Sequence, residues 1–137
     1  MAVMKGGCRC GAIRYEVSGE PVGSLLCHCR DCQYAAGGGP AHDMALPRQS
    51  VTVIKGEPRA YWSTADSGKR VGRLFCATCG TPLLTELEGF PDLRIVAVGS
   101  LDDPSVFKPR ASIWTSSAQP WSHIDPALPK FEKAFRA

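Results

Sequence analysis

The seven cysteines of this sequence fall into three short clusters whose spacing suits metal binding. Cys8 and Cys10 are separated by one residue, and Cys76 and Cys79 form a C-x-x-C pair followed directly by Gly80. In such a turn both thiolates face one point, backbone N–H groups can bond to sulfur, and the glycine permits a positive φ. The middle cluster consists of Cys27, Cys29 and Cys32. Thiols clustered in this way indicate a bound metal.

Two pairs of cysteines supply the four ligands of a closed, tetrahedral structural zinc site. We therefore predict one zinc ion held by Cys8, Cys10, Cys76 and Cys79. Neighbours two apart in a strand point to opposite faces, so the chain must turn between Cys8 and Cys10. Structural zinc contributes about 10–16 kcal/mol in peptide systems, which is comparable with the whole stability of a domain. We expect removal of this metal to loosen or unfold the protein.

The middle cluster leaves three thiolates for a second zinc ion. Three protein ligands and one exchangeable position describe a catalytic zinc site, in which a substrate thiol can bind as the fourth ligand and become a thiolate nucleophile. The residues also allow a redox C-x-x-C pair, a sensor that releases zinc on oxidation, or a second structural zinc. In the last case the fourth ligand would be His28, Asp31 or His42. Alternation along the chain directs His28 away from the sulfurs.

The surrounding elements are predicted to be mostly short strands. Alternating or apolar runs bounded by Gly, Pro, Asp or Ser recur along the chain, at 13–17, 51–53, 61–62, 69–75, 82–87 and 93–98. The run at 93–98 is apolar on both faces, so we place it centrally in its sheet. A short helix is expected over 30–36, ended by the glycines at 37–39, and another where Phe131 and Phe135 follow Pro129. We expect a single, mainly β domain over residues 1–137.

Composition narrows the class of protein. Hydrophobic residues make up 44% and charged residues 21% of the 137 positions, values typical of a globular domain. The net charge is +3, and the basic residues are scattered, so we expect no nucleic-acid partner. Neither a secretory signal nor an apolar run of about 18 residues is found, so we expect no membrane span and a cytoplasmic location. Reduced thiols, available for metal, fit that location.

The ordered motifs cover nearly the whole chain. They are the run from Gly6 to Tyr15 around the first cysteine pair, Cys27-His-Cys29-x-x-Cys32, Phe75-Cys76-x-x-Cys79-Gly-Thr-Pro82, Gly99-Ser-Leu-Asp102, Ile113-Trp114 and Trp121. In these segments the chain resembles the family of the glutathione-dependent formaldehyde-activating enzyme, which also includes centromere protein V. The resemblance implies a β-tent fold of small antiparallel sheets with two zinc ions. It assigns Cys8, Cys10, Cys76 and Cys79 to the structural ion and Cys27, Cys29 and Cys32 to the catalytic ion.

The family's named enzyme is a carbon–sulfur lyase that joins glutathione to formaldehyde to give S-hydroxymethylglutathione. Our hypothesis is therefore a zinc-dependent enzyme of this type, acting on a thiol or a thiol–aldehyde adduct, with the second zinc site partly occupied. A non-catalytic, zinc-stabilised binding module with two structural sites is the alternative. Because glutathione carries two carboxylates, Arg30 beside the trio is the first candidate for substrate binding, followed by Lys69 and Arg70.

Overall fold

The computed structural model describes residues 3–134, and strands dominate this part of the chain. The predicted mainly β class is confirmed. The strands, in chain order, are β1 (Val3–Gly7), β2 (Arg14–Ser18), β3 (Gly23–Cys27), β4 (Ala41–Pro47), β5 (Val51–Lys55), β6 (Arg59–Thr64), β7 (Arg70–Phe75), β8 (Pro82–Leu87), β9 (Leu93–Ala97) and β10 (Ala111–Ile113). The α-helix α1 (Arg30–Ala36) lies between β3 and β4, and short 3₁₀ turns fill several connections.

The strands form two sheets. One has three strands in the order β1-β2-β5, and the other has seven in the order β10-β3-β4-β9-β8-β7-β6. The strand pairs are antiparallel, as predicted, with one exception: β10 pairs with β3 in parallel at the edge of the large sheet. Strand β10 follows the long irregular segment 98–110, and a connection of that length allows a strand to return in parallel.

The hydrophobic core lies between the two sheets. Tyr15 and Val17 alternate along β2 and are buried, as the pattern at 13–17 predicts. They pack in one cluster with Met44 and Leu46 of β4 and Val96 of β9. Because one face of each sheet enters this core, the opposite face of the large sheet remains for other contacts.

Strand β9 occupies the centre of the seven-stranded sheet, as its two-sided apolar pattern predicts. Strand β4, beside it, is not predicted by the sequence pattern. Its residues include His42 and Asp43 and no β-branched side chain, so neither propensity nor polarity favours a strand. Pairing with β3 and β9 on both sides places it in the sheet instead.

The predicted helix at 30–36 is confirmed with the same bounds. Cys29 caps its start by accepting a hydrogen bond from the backbone of Cys32, and Gly37 ends it at φ 81°. The predicted C-terminal helix is wrong over the described residues 129–134, because Lys130 forms a β-bridge with Ser112 there; Phe135 lies outside the described residues. Within residues 3–134, we find no helix of the length and apolarity that crossing a bilayer requires.

Candidate metal centres

Four sulfurs come together where the turn after β1 meets the β7–β8 connection. They are those of Cys8, Cys10, Cys76 and Cys79, and all lie within 4.8 Å of one another. Cys8 Sγ is 3.5 Å from Cys10 Sγ, and Cys10 Sγ is 3.8 Å from Cys76 Sγ. A tetrahedral zinc ion with Zn–S bonds of about 2.3 Å would hold its sulfurs about 3.8 Å apart. The cluster can therefore hold a metal ion, and its spacing is compatible with zinc.

Backbone turns aim these sulfurs inward. The N–H of Ile13 donates to Cys8 Sγ over 3.2 Å, and the N–H of Cys79 donates to Cys76 Sγ over 3.5 Å. Gly11 and Gly80 have φ values of 83° and 79°, so each closes its turn in the left-handed region that favours glycine. The chain does turn between Cys8 and Cys10, as their separation requires.

The protonation of this cluster depends on its hydrogen bonds. The hydroxyl of Thr81 stabilises the Cys79 thiolate and lowers the pKa of Cys79 to about 5. The backbone of Ala12 has the same effect on Cys10, but the neighbouring sulfurs, Cys8 foremost, raise the pKa of Cys10 to about 11. Near pH 7 the metal-free cluster therefore holds a mixture of thiols and thiolates. A dication would favour the thiolate form of all four.

The second group contains only three sulfurs, those of Cys27, Cys29 and Cys32, which also lie within 4.8 Å of one another. We call this group the trio. Within the described residues, no further His, Cys, Asp or Glu joins it with a ligand atom at that distance. His28, Asp31 and His42, the possible fourth ligands, are therefore outside the group. The structure provides a three-sulfur set that can hold a metal and is compatible with zinc.

The trio lies at the junction of β3 and α1. Cys27 is the last residue of β3, Cys29 caps α1, and Cys32 is in the first helical turn. Cys27 and Cys32 are buried, whereas Cys29 is half-buried and offers the more accessible sulfur. Hydrogen bonding with Cys29 raises the pKa of Cys27, and the same contact lowers that of Cys29. Without metal, the three sulfurs therefore titrate as one coupled group.

Two charged residues beside the trio were not predicted from the sequence. Nη2 of Arg73, on β7, lies 3.8 Å from Cys32 Sγ. Asp43, on β4, is half-buried, and burial raises the pKa of its carboxyl to about 7 while Arg73 acts in the opposite direction. Strand alternation indicates which residues share a face, but only the pairing order of the strands shows that these two face the trio.

The strand register supports this placement independently of the side chains. Arg73 pairs with Thr85, Thr85 with Ile95, and Ile95 with Ala45, so these four share one face of the large sheet. Asp43 is two residues from Ala45 and lies on the same face. Leu25 pairs with Asp43 and therefore lies on this face. Cys27, two residues further along β3, lies on the same face. Strands from both halves of the large sheet thus direct polar groups to one side.

Arg30, the sequence candidate for substrate binding, is adjacent to Cys29 at the start of α1. Its Nη1 donates to Gln33 Oε1 over 2.5 Å, and its guanidinium lies 4.7 Å from the centre of the Tyr34 ring. Gln33 is buried and also donates to the His28 carbonyl oxygen, which ties the helix to the end of β3. Arg30 is exposed, so it remains a candidate for substrate binding.

The other two candidates are not brought to the trio. Arg70 lies three residues before Arg73 on β7, so it points to the opposite face, where its guanidinium is 5.1 Å from the centre of the Trp62 ring. Lys69, just before that strand, is exposed and packs beside Gly89. The positive charges of Arg70 and Lys69 therefore lie away from the trio.

Comparison with known proteins gives a family for these cysteine clusters. The model of the glutathione-dependent formaldehyde-activating enzyme family matches residues 3–117, which include all seven cysteines. The chain belongs to this family. A Halomonas elongata protein named "Putative glutathione-dependent formaldehyde-activating enzyme" is 27% identical over 128 residues, covering 90% of this chain and 82% of that protein.

The fold of this chain is also similar to that of a solved structure. A crystal structure of a Rhodobacter sphaeroides protein superimposes with a TM-score of 0.59 at 19% sequence identity, covering 93% of this chain and 99% of that one. At that identity the likeness shows a shared fold. The resemblance noted from the cysteine motifs is confirmed by the family model and by the Halomonas elongata relative.

Proposed function

We propose that this family member is a zinc-dependent enzyme of the carbon–sulfur lyase type, acting on a thiol or a thiol–aldehyde adduct. The observation that carries the proposal is the trio, a three-sulfur group with no fourth protein ligand atom among the described residues. Three protein ligands with a free position are the arrangement of catalytic rather than structural zinc. Family membership adds glutathione and formaldehyde as the first substrates to test.

Cys27, Cys29 and Cys32 would hold the second ion, and Cys8, Cys10, Cys76 and Cys79 the structural one. When bound at the trio, zinc would supply a Lewis acid that lowers the pKa of a substrate thiol. The protein's own contribution is positional: two of the three sulfurs are buried, so a small molecule reaches the group from the side of Cys29. Arg30, at the exposed start of the same helix, would bind a carboxylate of a glutathione-like substrate.

The chemistry balances without an oxidant or reductant. The substrate sulfur attacks the carbonyl carbon of formaldehyde and forms one C–S bond, while the electron pair of the C=O π bond moves to oxygen. The proton lost by the thiol ends on that oxygen, which gives the S-hydroxymethyl adduct, a hemithioacetal. Release is the reverse of these steps. Arg73 lies beside Cys32 of the trio, and Asp43 is on the same face of the large sheet.

Exchange between free formaldehyde and the glutathione adduct, followed by NMR with isotopically labelled formaldehyde, tests this proposal. Zinc-loaded protein should accelerate the exchange above the spontaneous rate, and Cys29→Ser should return the rate to background. Asp31→Asn is the matched control, because Asp31 lies between two cysteines of the trio but outside the sulfur group, and this variant should stay within about threefold of the native rate. A zinc-loaded protein that accelerates no reaction across a panel of thiols and aldehydes would refute the proposal.

The non-catalytic alternative gives a different result in the same preparation. If the trio is closed by a fourth protein ligand, the visible spectrum of the cobalt-substituted protein should not respond to added thiol. With an open trio, thiol should change the spectrum because a sulfur ligand is gained. A sensor, in contrast, should lose its metal under mild peroxide.

A further inference from the structure

Arg73 makes a direct polar contact with the trio from a distant strand. Its Nη2 donates to Cys32 Sγ over 3.8 Å, and its Nη1 donates to Ser63 Oγ over 3.5 Å on the neighbouring strand. The side chain is half-buried. Arginine in such a position presents a fixed positive charge, since its guanidinium does not lose its proton in proteins. The contact therefore places a permanent cation against a group of sulfurs.

Net charge explains what such a cation can do. A dication with three thiolates carries a net charge of −1, and a fourth thiolate ligand would make it −2. Cys27 and Cys32 have only 6% and 7% of their surface exposed, so solvent screens this charge poorly. A neutral fourth ligand such as imidazole adds no charge. The additional negative charge therefore disfavours binding of a thiolate but not binding of a neutral donor.

The carboxyl group of Asp43 also faces the trio, and its negative charge makes a nearby cation more important. Asp43 lies on the face of the large sheet that also carries Cys27, because its partner Leu25 is two residues from that cysteine on β3. Arg73 lies on the same face of the large sheet as Asp43, through the pairs Arg73–Thr85, Thr85–Ile95 and Ile95–Ala45. An ionised Asp43 beside the trio would disfavour an anionic ligand still further. Arg73 is the cation that the described structure places on this face in contact with a trio sulfur.

We propose that Arg73 is a positioning residue that offsets the negative charge of the second metal site and so lets it bind a thiolate in preference to a neutral donor. This inference rests on the proposed function, because it concerns the ligand that the open position accepts. Arg73 would thus favour the thiolate sulfur of the substrate as the ligand at the open position. Other residues would recognise the remainder of the substrate.

Ligand titrations of the full-length cobalt-substituted protein test the idea by visible spectroscopy. The probes are 2-mercaptoethanol, whose remainder is uncharged, imidazole as a neutral donor, and glutathione. The variants are Arg73→Gln, which removes the charge, and Arg73→Lys, which retains it. Arg70→Gln is the matched control, since it removes the same charge from the same strand on the opposite face.

Arg73→Gln should weaken 2-mercaptoethanol binding by about 10- to 100-fold, the usual effect of losing a residue that supports a metal site, while imidazole binding changes by less than about threefold. Arg73→Lys should recover most of the thiol affinity, and Arg70→Gln should bind all three probes as the native protein does. An equal loss for thiol and imidazole, or weak thiol binding in Arg73→Lys, would overturn the charge argument. So would a loss confined to glutathione, which would make Arg73 a carboxylate-binding residue.

The outcomes separate this inference from the proposed function. A native protein whose cobalt spectrum ignores every thiol refutes the open, thiol-binding site itself. A native protein that binds thiols with an affinity unchanged in Arg73→Gln leaves that site in place and overturns only the role of Arg73.

Discussion

Replacing one sulfur in each cluster should separate a structural metal site from a functional one. Cys79→Ser removes a sulfur of the four-sulfur cluster at an exposed position, so the change itself loses almost no packing. Cys29→Ser removes a sulfur of the trio at a half-buried position. Each variant changes one sulfur to oxygen. The two variants therefore differ mainly in which segments of the chain a metal in the affected cluster would connect.

The magnitude follows from those connections. The four-sulfur cluster joins Cys10 and Cys76, which are 66 residues apart, whereas the ends of the trio, Cys27 and Cys32, are only five residues apart. Loop closure costs (3/2)RT ln n, so a metal cross-link at the first site constrains the unfolded chain by about 2 kcal/mol more than one at the second. Complete loss of a structural zinc approaches about 10 kcal/mol. For a domain of this size, 1 kcal/mol corresponds to about 3.5 °C in Tm.

We therefore expect the Tm of Cys79→Ser to fall at least about 7 °C below that of Cys29→Ser, which should remain closer to the native value. Calorimetry under reducing conditions gives the Tm, and metal analysis of the same samples shows how many zinc ions each variant retains. The reasoning fails if both variants lose zinc and melt together, or if Cys29→Ser is the less stable one.

Three further predictions concern the fold that holds the clusters. Gly6→Ala should lower the free energy of unfolding by about 1–3 kcal/mol, because the added Cβ would meet the Tyr15 phenol and lie 2.6 Å from the Ser100 carbonyl oxygen; Gly99→Ala, with no atom within 4 Å of its Cβ, is the control for denaturant melts. Burial raises the pKa of Tyr15 to about 12 from an ordinary value of 10, so stability present below pH 10 should decline by up to about 3 kcal/mol as the pH rises to 12. Tyr15→Phe should flatten that decline in urea titrations, and an unchanged slope would contradict the assignment. Glu86→Gln should cost about 2 kcal/mol by weakening the ion pairs of this buried carboxylate with Arg48 and Arg94, and a change below 0.5 kcal/mol in urea denaturation would contradict this.

Local patterns predicted much of the fold. The strand at 82–87 and the helix at 30–36 have the bounds that residue type and glycine placement indicate. Strand β4 was missed because Ala41–Pro47 has neither β-branched residues nor strict alternation, and its place depends on partners on both sides. The prediction of a C-terminal helix was wrong for a related reason. The β-bridge between Lys130 and Ser112 takes the place of a helix that propensity favours only weakly.

The cysteines were predictable for a different reason from Arg73 and Asp43. Paired thiols within one turn are local, so their spacing indicates a shared metal without knowledge of the fold. Arg73 reaches the trio from β7, which is three strands from β4 in the sheet order, and no sequence spacing encodes that approach. The residues that would hold metal are therefore visible in the sequence, whereas those that would adjust the charge of the second site appear only once the strand order is known.

The location of each cluster matches the chemistry proposed for it. The four-sulfur cluster lies where the turn after β1, from the small sheet, meets the β7–β8 connection of the large sheet, so a metal there fixes the two layers around the core. The trio joins only β3 and α1, where a cross-link adds little stability but where one face of the large sheet supplies Asp43 and Arg73. The proposed division into a structural and a catalytic site therefore agrees with the distances along the chain that the two clusters connect.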